Sequence, residues 1–353
     1  MKDPTGLHRL CSARVWGEGT PMVLAKALGI DVSKPKLDAS LVCADSNKAI
    51  WHVLAGRDRE GIEALLAKTD PDVALVMEPT GRYSLEVAKI AREHGRTVLL
   101  APTRKAKAFR DSIQSRAKTD KIDSYALGLF ALSQRLPIYP IKAENVETVD
   151  QMLTARRGLV DARTKLKMQA TELKIAADLI QPAIDALDQQ IDAADRAIWN
   201  AATNDPEYAA AKQLQKVPGI GKLTAVAMTS CLTSKQFLYP DQFVAFLGLD
   251  LMVNDSGMHK GRMRLTKQGN AELRRLLYLS AQANLRCKSS PFKDQYAKER
   301  AKGLSHAAAT CAVARKIARL CWSLHKHKSS YDPARVGRPP VRVSAQEVAT
   351  LAN

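Results

Sequence analysis

The chain has 353 residues, with 54 lysines and arginines against 36 aspartates and glutamates, a formal net charge of +18. Hydrophobic residues make up 46% and charged residues 25%, enough for the cores of two or three domains, so wholesale disorder is excluded. No apolar run reaches the length of a membrane span, the first residues (Asp3, Arg9, Arg14, Glu18) form no secretory signal, and the six cysteines make no CxxC pair, which predicts a cytoplasmic protein with reduced thiols and no membrane partner.

Residues 1–21 read as a flexible polar lead. From there the pattern becomes strand-like at 28–32, 37–42 and 49–54, each bounded by turn or charged residues, which predicts an antiparallel meander. A helix over 60–68, a strand at 73–77, a helix over 84–94, a strand at 97–101 and two helical segments across 103–135 follow. This alternation predicts a mixed α/β sheet with helices packed on it, a first domain over 22–145.

Four carboxylates stand out in that domain. Asp31 ends the first strand in Gly29-Ile30-Asp31-Val32-Ser33-Lys34, and Glu78 ends the fourth, followed by Pro79-Thr80-Gly81. Asp120 and Asp123 are three apart at the start of a predicted helix over 121–132, which places both on one helix face. Any one of them is an ordinary turn or cap acid. Together they form a set of hard oxygen donors of the kind Mg²⁺ takes when it also holds a phosphate.

Residues 146–205 carry no strand pattern. Ile184, Leu187, Ile191, Ala194 and Ile198 are spaced three and four apart alternately, with a rougher series at Val149, Met152, Leu159, Leu166 and Leu173. This predicts a helical hairpin or coiled coil, with Pro182 in the first turn of its second helix. The seam suits either internal packing or a dimer contact. Beyond Asn204-Asp205-Pro206, residues 206–330 read as a mainly helical domain with a loop at 250–270, and 331–353 as a flexible tail.

In Val217-Pro218-Gly219-Ile220-Gly221, before Lys222, two glycines bracket an apolar residue, as in a helix-hairpin-helix turn that exposes N–H groups to a phosphate. A plain helix–helix turn has the same look. Residues 251–353 hold 20 basic and 6 acidic residues, against 34 and 30 in residues 1–250. Lys260, Arg262, Arg264, Lys267, Arg274 and Arg275 lie close together in that basic third, the pattern that phosphate contacts require. A basic face that serves only solubility is the alternative. Within the loop, Ser256-Gly257 precedes Lys260 and Arg262, so Ser256 is a candidate nucleophile whose glycine removes bulk beside a phosphate and whose cations offset developing charge. Thr266 is the second-ranked hydroxyl.

The Gly29–Lys34 strand, the Glu78-Pro79-Thr80-Gly81 turn and Lys118-Thr119-Asp120-Lys121-Ile122-Asp123 resemble the DEDD signature of insertion-sequence family one-ten transposases, relatives of the Piv and MooV DNA invertases. The likeness continues to about residue 325. It implies a RuvC-like, ribonuclease-H-type fold for the first domain, with Asp31, Glu78, Asp120 and Asp123 binding Mg²⁺ (or Mn²⁺). It also implies a serine nucleophile at Ser256 that links covalently to DNA, a C-terminal transposase domain, and target choice through a structured guide RNA. One departure is that Asp250-Leu251 stands where the family commonly has a proline soon after the Gly-Leu pair. The expected partners are element-end and target DNA, the guide RNA, and further copies of the chain in a dimer or dimer of dimers near the nucleoid of a prokaryotic cytoplasm. Two other functions remain open: a metal-dependent nuclease that uses water, and a non-catalytic nucleic-acid-binding protein.

Overall fold

A computed structural model describes residues 24–113, 119–252, 255–256, 259–260 and 264–336. The lead over 1–21, Lys118 and Arg262 lie outside the described residues. Two compact units divide between Ile141 and Lys142.

The first unit runs β1 (Lys26–Val32), β2 (Lys36–Cys43), β3 (Ala49–Gly56), α1 (Arg59–Leu66), β4 (Ala74–Met77), α2 (Arg82–Glu93), β5 (Val98–Leu100), α3 (Thr103–Ile113) and α4 (Asp120–Ser133). The five strands form one sheet in the order β3-β2-β1-β4-β5. β1, β2 and β3 pair antiparallel, the expected meander, and β4 and β5 add in parallel on the other side. Strand alternation sorts the residues between two faces. Leu28, Ile30, Leu37, Ala39, Leu75 and Met77 pack with Ile62, Leu65, Val87 and Ala91 of α1 and α2. On the other face Ala27, Ala74, Val76 and Leu99 meet Ala106 of α3 and Leu127, Phe130 and Ala131 of α4.

By the same alternation Gly29 and Asp31 belong to the α4 face, and glycine at 29 is what lets α4 lie so close. A Cβ on Gly29 would stand 2.0 Å from the Ser124 carbonyl and 2.4 Å from the Gly128 nitrogen, both backbone atoms. A Cβ on Gly128 would stand 2.6 Å from a Val42 methyl. Beside this contact Ser40 Oγ and Ser124 Oγ share a buried hydrogen bond of 2.8 Å.

The second unit begins with a helical hairpin, α5 (Glu144–Glu172) and α6 (Ala177–Thr203), joined by a 3₁₀ turn at Lys174–Ala176. Ile184, Ile191 and Ile198, seven apart, are buried, while Leu187 and Ala194 are half-buried. α6 packs along α5, so the seam is used inside the chain. Ion pairs cross the hairpin from Arg156 to Asp195 (2.8 Å) and from Lys167 to Asp188 (3.4 Å). Pro182 is not in the first turn as expected: α6 starts five residues earlier, at Ala177. Its missing N–H leaves the carbonyl four residues back without the usual donor.

Next come α7 (Ala209–Leu214), α8 (Lys222–Ser234), α9 (Pro240–Phe246), β6 (Leu251–Met252), β7 (Asp255–Ser256), β8 (His259–Lys260), β9 (Arg264–Leu265), α10 (Ala271–Arg286), α11 (Lys293–Ala301) and α12 (His306–Lys326). The base of the hairpin is not independent of them. Val146, Val149, Ile198 and Ala202 share one core with Tyr208, Met228, Phe243, Leu277, Val313 and Ile317. The tail expectation needs correction at its start, because Tyr331 and Val336 pack against this core around a 3₁₀ turn at Pro333–Arg335; residues 337–353 lie outside the described set. Among the described residues no helix is long and apolar enough to cross a membrane, and the described cysteines are unpaired.

Candidate active site and nucleic-acid surface

Asp31 is the penultimate residue of β1, Glu78 follows β4 directly, and α4 opens with Asp120 and Asp123 under a Thr119 cap whose side chain accepts from the Ile122 N–H. All four carboxylates line one cavity of about 330 Å³, with Thr103 and Arg110 of α3. The sheet supplies the first two because both strands present these positions toward α4. The α4 helix supplies the other two because Gly29 and Gly128 bring its first turns onto β1.

The cavity is electrostatically costly. Burial raises the Asp31 carboxyl above its ordinary range, and the neighbouring charges of Asp123, Asp120 and Asp38 raise it further. Burial likewise raises Glu78, against which the Arg110 guanidinium and a Thr103 hydrogen bond pull down. Asp123 is only 9% exposed. Its Oδ1 lies 3.1 Å from Arg110 Nη1 but makes no hydrogen bond of normal geometry. A buried carboxylate oxygen ion-paired but without a hydrogen bond, beside carboxyls that repel one another, is a donor suited to a hard divalent cation. As arranged here, no three Asp, Glu, His or Cys side chains among the described residues converge closely enough to hold one ion in common.

Four further residues belong to this site without standing out in the sequence. Asp38 on β2 stands directly opposite Asp31 in the antiparallel register and is 4% exposed. Lys36 Nζ reaches it at 3.0 Å and Asp120 Oδ2 at 2.9 Å; His52 Nε2 lies 3.3 Å from its other oxygen. Strand alternation offers a signal for Lys36 and Asp38, since they lie two apart on a strand that pairs with the Asp31 strand. Nothing local marks His52 or Arg110, whose places depend on the folded sheet and on α3.

In the second unit the described residues of the basic loop form two antiparallel ladders. Leu251 pairs with Leu265 and Met252 with Arg264; further out, Asp255 pairs with Lys260 and Ser256 with His259. Asp250 fastens the base: its carboxylate accepts from the Thr266 hydroxyl, and its carbonyl accepts from the Thr266 N–H at 3.1 Å. The close approach of Gly248 to the Lys267–Gln268 backbone and of Gly269 to Phe246 completes the clamp. Thr266 is thereby a fastener beside the β6–β9 ladder, whereas Ser256 lies on β7.

The predicted nucleic-acid contacts divide by surroundings. Arg264 and Lys267 are exposed, and Lys260 lies on β8. Arg274 instead donates to the Leu247 and Gly269 carbonyls at 3.0 and 2.8 Å, and Arg275 is paired with Glu272, which also holds Arg157 of α5. Gly219 has φ +85°, and a Cβ there would stand 2.5 Å from the Asn284 nitrogen and the Ser280 carbonyl of α10. Asn284 also donates to the Pro218 carbonyl at 2.6 Å. Packing therefore accounts for Gly219. Gly221, with open space around its Cα, caps α8 ahead of Lys222, whose amine lies 5.3 Å from the centre of the Trp199 ring.

Comparisons with known proteins bear on both units. A DEDD-type IS110 transposase family model matches residues 28–173, and the model described as Transposase IS116/IS110/IS902 family matches residues 211–297. An uncharacterized 44.8 kDa protein of insertion element IS116 from Streptomyces clavuligerus is 30% identical over 140 residues, 38% of this chain and 33% of the relative. Pilin gene-inverting proteins of Moraxella bovis and Moraxella lacunata are each 23% identical over 86% of this chain and 97% of their own length.

Proposed function

The chain belongs to the IS116/IS110/IS902 family of transposases, and from that premise we propose that it is a site-specific DNA recombinase that breaks and rejoins strands through a covalent serine–DNA link. The observation that carries the reading is the gathering of Asp31, Glu78, Asp120 and Asp123 round one cavity, in a unit whose sheet order and flanking helices suit a RuvC-like, ribonuclease-H-type fold. Similarity along nearly the full length of proteins named for inverting a pilin gene supports recombination over simple cleavage.

In this reading Asp31, Glu78, Asp120 and Asp123, drawn closer than they stand here, would hold Mg²⁺ or Mn²⁺, which would polarise the phosphodiester and stabilise the departing oxygen. Ser256 Oγ attacks phosphorus and the 3′-oxygen leaves, so the phosphoserine ester conserves the bond for rejoining. Lys260, Arg262, Arg264 and Lys267 hold the DNA backbone beside the serine, and Gly221 with Lys222 offers a further phosphate contact at the start of α8. The chain acts as a homo-oligomer, since exchange between two duplexes needs more than one active site. A structured guide RNA selects the target, an assignment that rests on the family resemblance alone.

The test is whether cleaved DNA stays attached to the denatured protein. The wild type with labelled DNA, Mg²⁺ and RNA co-purified from the host should give a protein–DNA adduct that survives denaturation and disappears in Ser256→Ala. Normal nicking by Ser256→Ala, with free ends and no adduct, would replace the recombinase by a nuclease using water.

A further inference from the structure

The register of β1 and β2 sets two carboxylates, Asp31 and Asp38, face to face, an arrangement that is unfavourable unless a cation intervenes. Lys36 supplies it. From the same strand and face as Asp38, its ammonium lies 3.0 Å from Asp38 Oδ2 and 2.9 Å from Asp120 Oδ2. Asp38 is almost fully buried and Asp120 largely exposed, with side-chain exposures of 6% and 54%. One end of the bridge is therefore anchored in the sheet, and the other holds a side chain that packing does not fix.

We propose that Lys36 is a resident counter-cation of the acid cavity, anchored by Asp38, that gives up Asp120 when a divalent ion is bound. The inference rests on the reading that the four acids hold the metal. Lys36 occupies one of the two Asp120 oxygens open to an ion, and an ammonium beside the cavity repels an incoming dication. Lys36 thus compensates the acids when no ion is present and competes with the ion for them. Asp38, with His52 on its other oxygen, keeps the displaced ammonium at the cavity rim. A lysine that merely supported the metal-bound geometry would have the opposite effect on affinity, so the sign of one measurement decides.

Mg²⁺ titration of the full-length protein by calorimetry, without nucleic acid and at low salt, provides it. Lys36→Met should bind Mg²⁺ about two- to fivefold more tightly than the wild type, the worth of a partly exposed ion pair, while Lys36→Arg should match the wild type. The gap should narrow at high salt as the pair is screened. Melting in EDTA shows whether Lys36→Met is folded, and Lys36→Gln repeats the measurement with a polar side chain. Equal or weaker binding by both neutral variants would overturn the role of Lys36. Absence of Mg²⁺ binding by the wild type would instead overturn the metal reading on which it stands.

Discussion

Asp31 and Glu78 are carboxyls that the fold makes unfavourable, raised by burial and by neighbouring acids, and a cost of that kind is borne at sites whose chemistry needs it. Asp31→Asn or Glu78→Gln should therefore stabilise the metal-free protein, by about 1 kcal/mol, while abolishing DNA cleavage. Urea unfolding in EDTA beside an adduct assay checks both halves. A different residue reports on pH. His325, in the last turn of α12, would gain from the helix dipole if charged, yet burial and then Lys328 lower its pKa below the ordinary 6.5, and its Nδ1 has no hydrogen-bond partner. The folded state thus prefers the neutral ring. Its contribution is complete above the unfolded value and is lost as pH falls through 6.5 toward the lower folded value. The stability difference between wild type and His325→Gln should shift against the wild type between about pH 7.5 and 5.5; an unchanged difference in denaturation curves would refute it.

Among the elements, the contact of α4 with β1 decides whether four acids become one site. Gly29→Ala would drive a methyl into backbone atoms of Ser124 and Gly128, so a loss of about 1–3 kcal/mol is expected, with cleavage impaired even where the unit stays folded. Gly158→Ala in the exposed middle of α5, where nothing lies within 4 Å, should instead be neutral or stabilising by up to about 1 kcal/mol. Comparable effects of the two in thermal melts would show that the close approach is unimportant. The same contact marks the limit of what the sequence makes legible. Strand alternation and the three-residue spacing of Asp120 and Asp123 point to the acids from local pattern, and the meander is legible because its connections are short. Gly29, Arg110 and His52 matter through partners 13 to 99 residues away in the chain, which no local period encodes. The start of α6 differs from expectation because proline favours a first turn, whereas here the helix already runs from Ala177. Asp250 is illegible for a similar reason, since its partner is Thr266, 16 residues on.

For the whole molecule, the division of charge suggests a division of labour. The acids lie in the first unit, and residues 251–353 carry most of the basic excess. That excess is not uniformly available to DNA, because Arg274 and Arg275 are engaged within the protein while Arg264 and Lys267 face solvent. Arg264→Ala with Lys267→Ala should therefore weaken binding to unrelated DNA sequences alike and reduce the slope of log affinity against log salt by about two, one for each phosphate no longer neutralised. Arg274→Ala should leave the slope nearly intact but lower the melting temperature, since two backbone carbonyls lose their donor. Fluorescence anisotropy across a salt series, with melts of the same proteins, separates the two classes. Should Arg274→Ala flatten the slope as strongly as the double variant, the loop-facing and helix-bound arginines would form a single phosphate-binding surface, and the carbonyl bonds of Arg274 would be ones it exchanges for DNA.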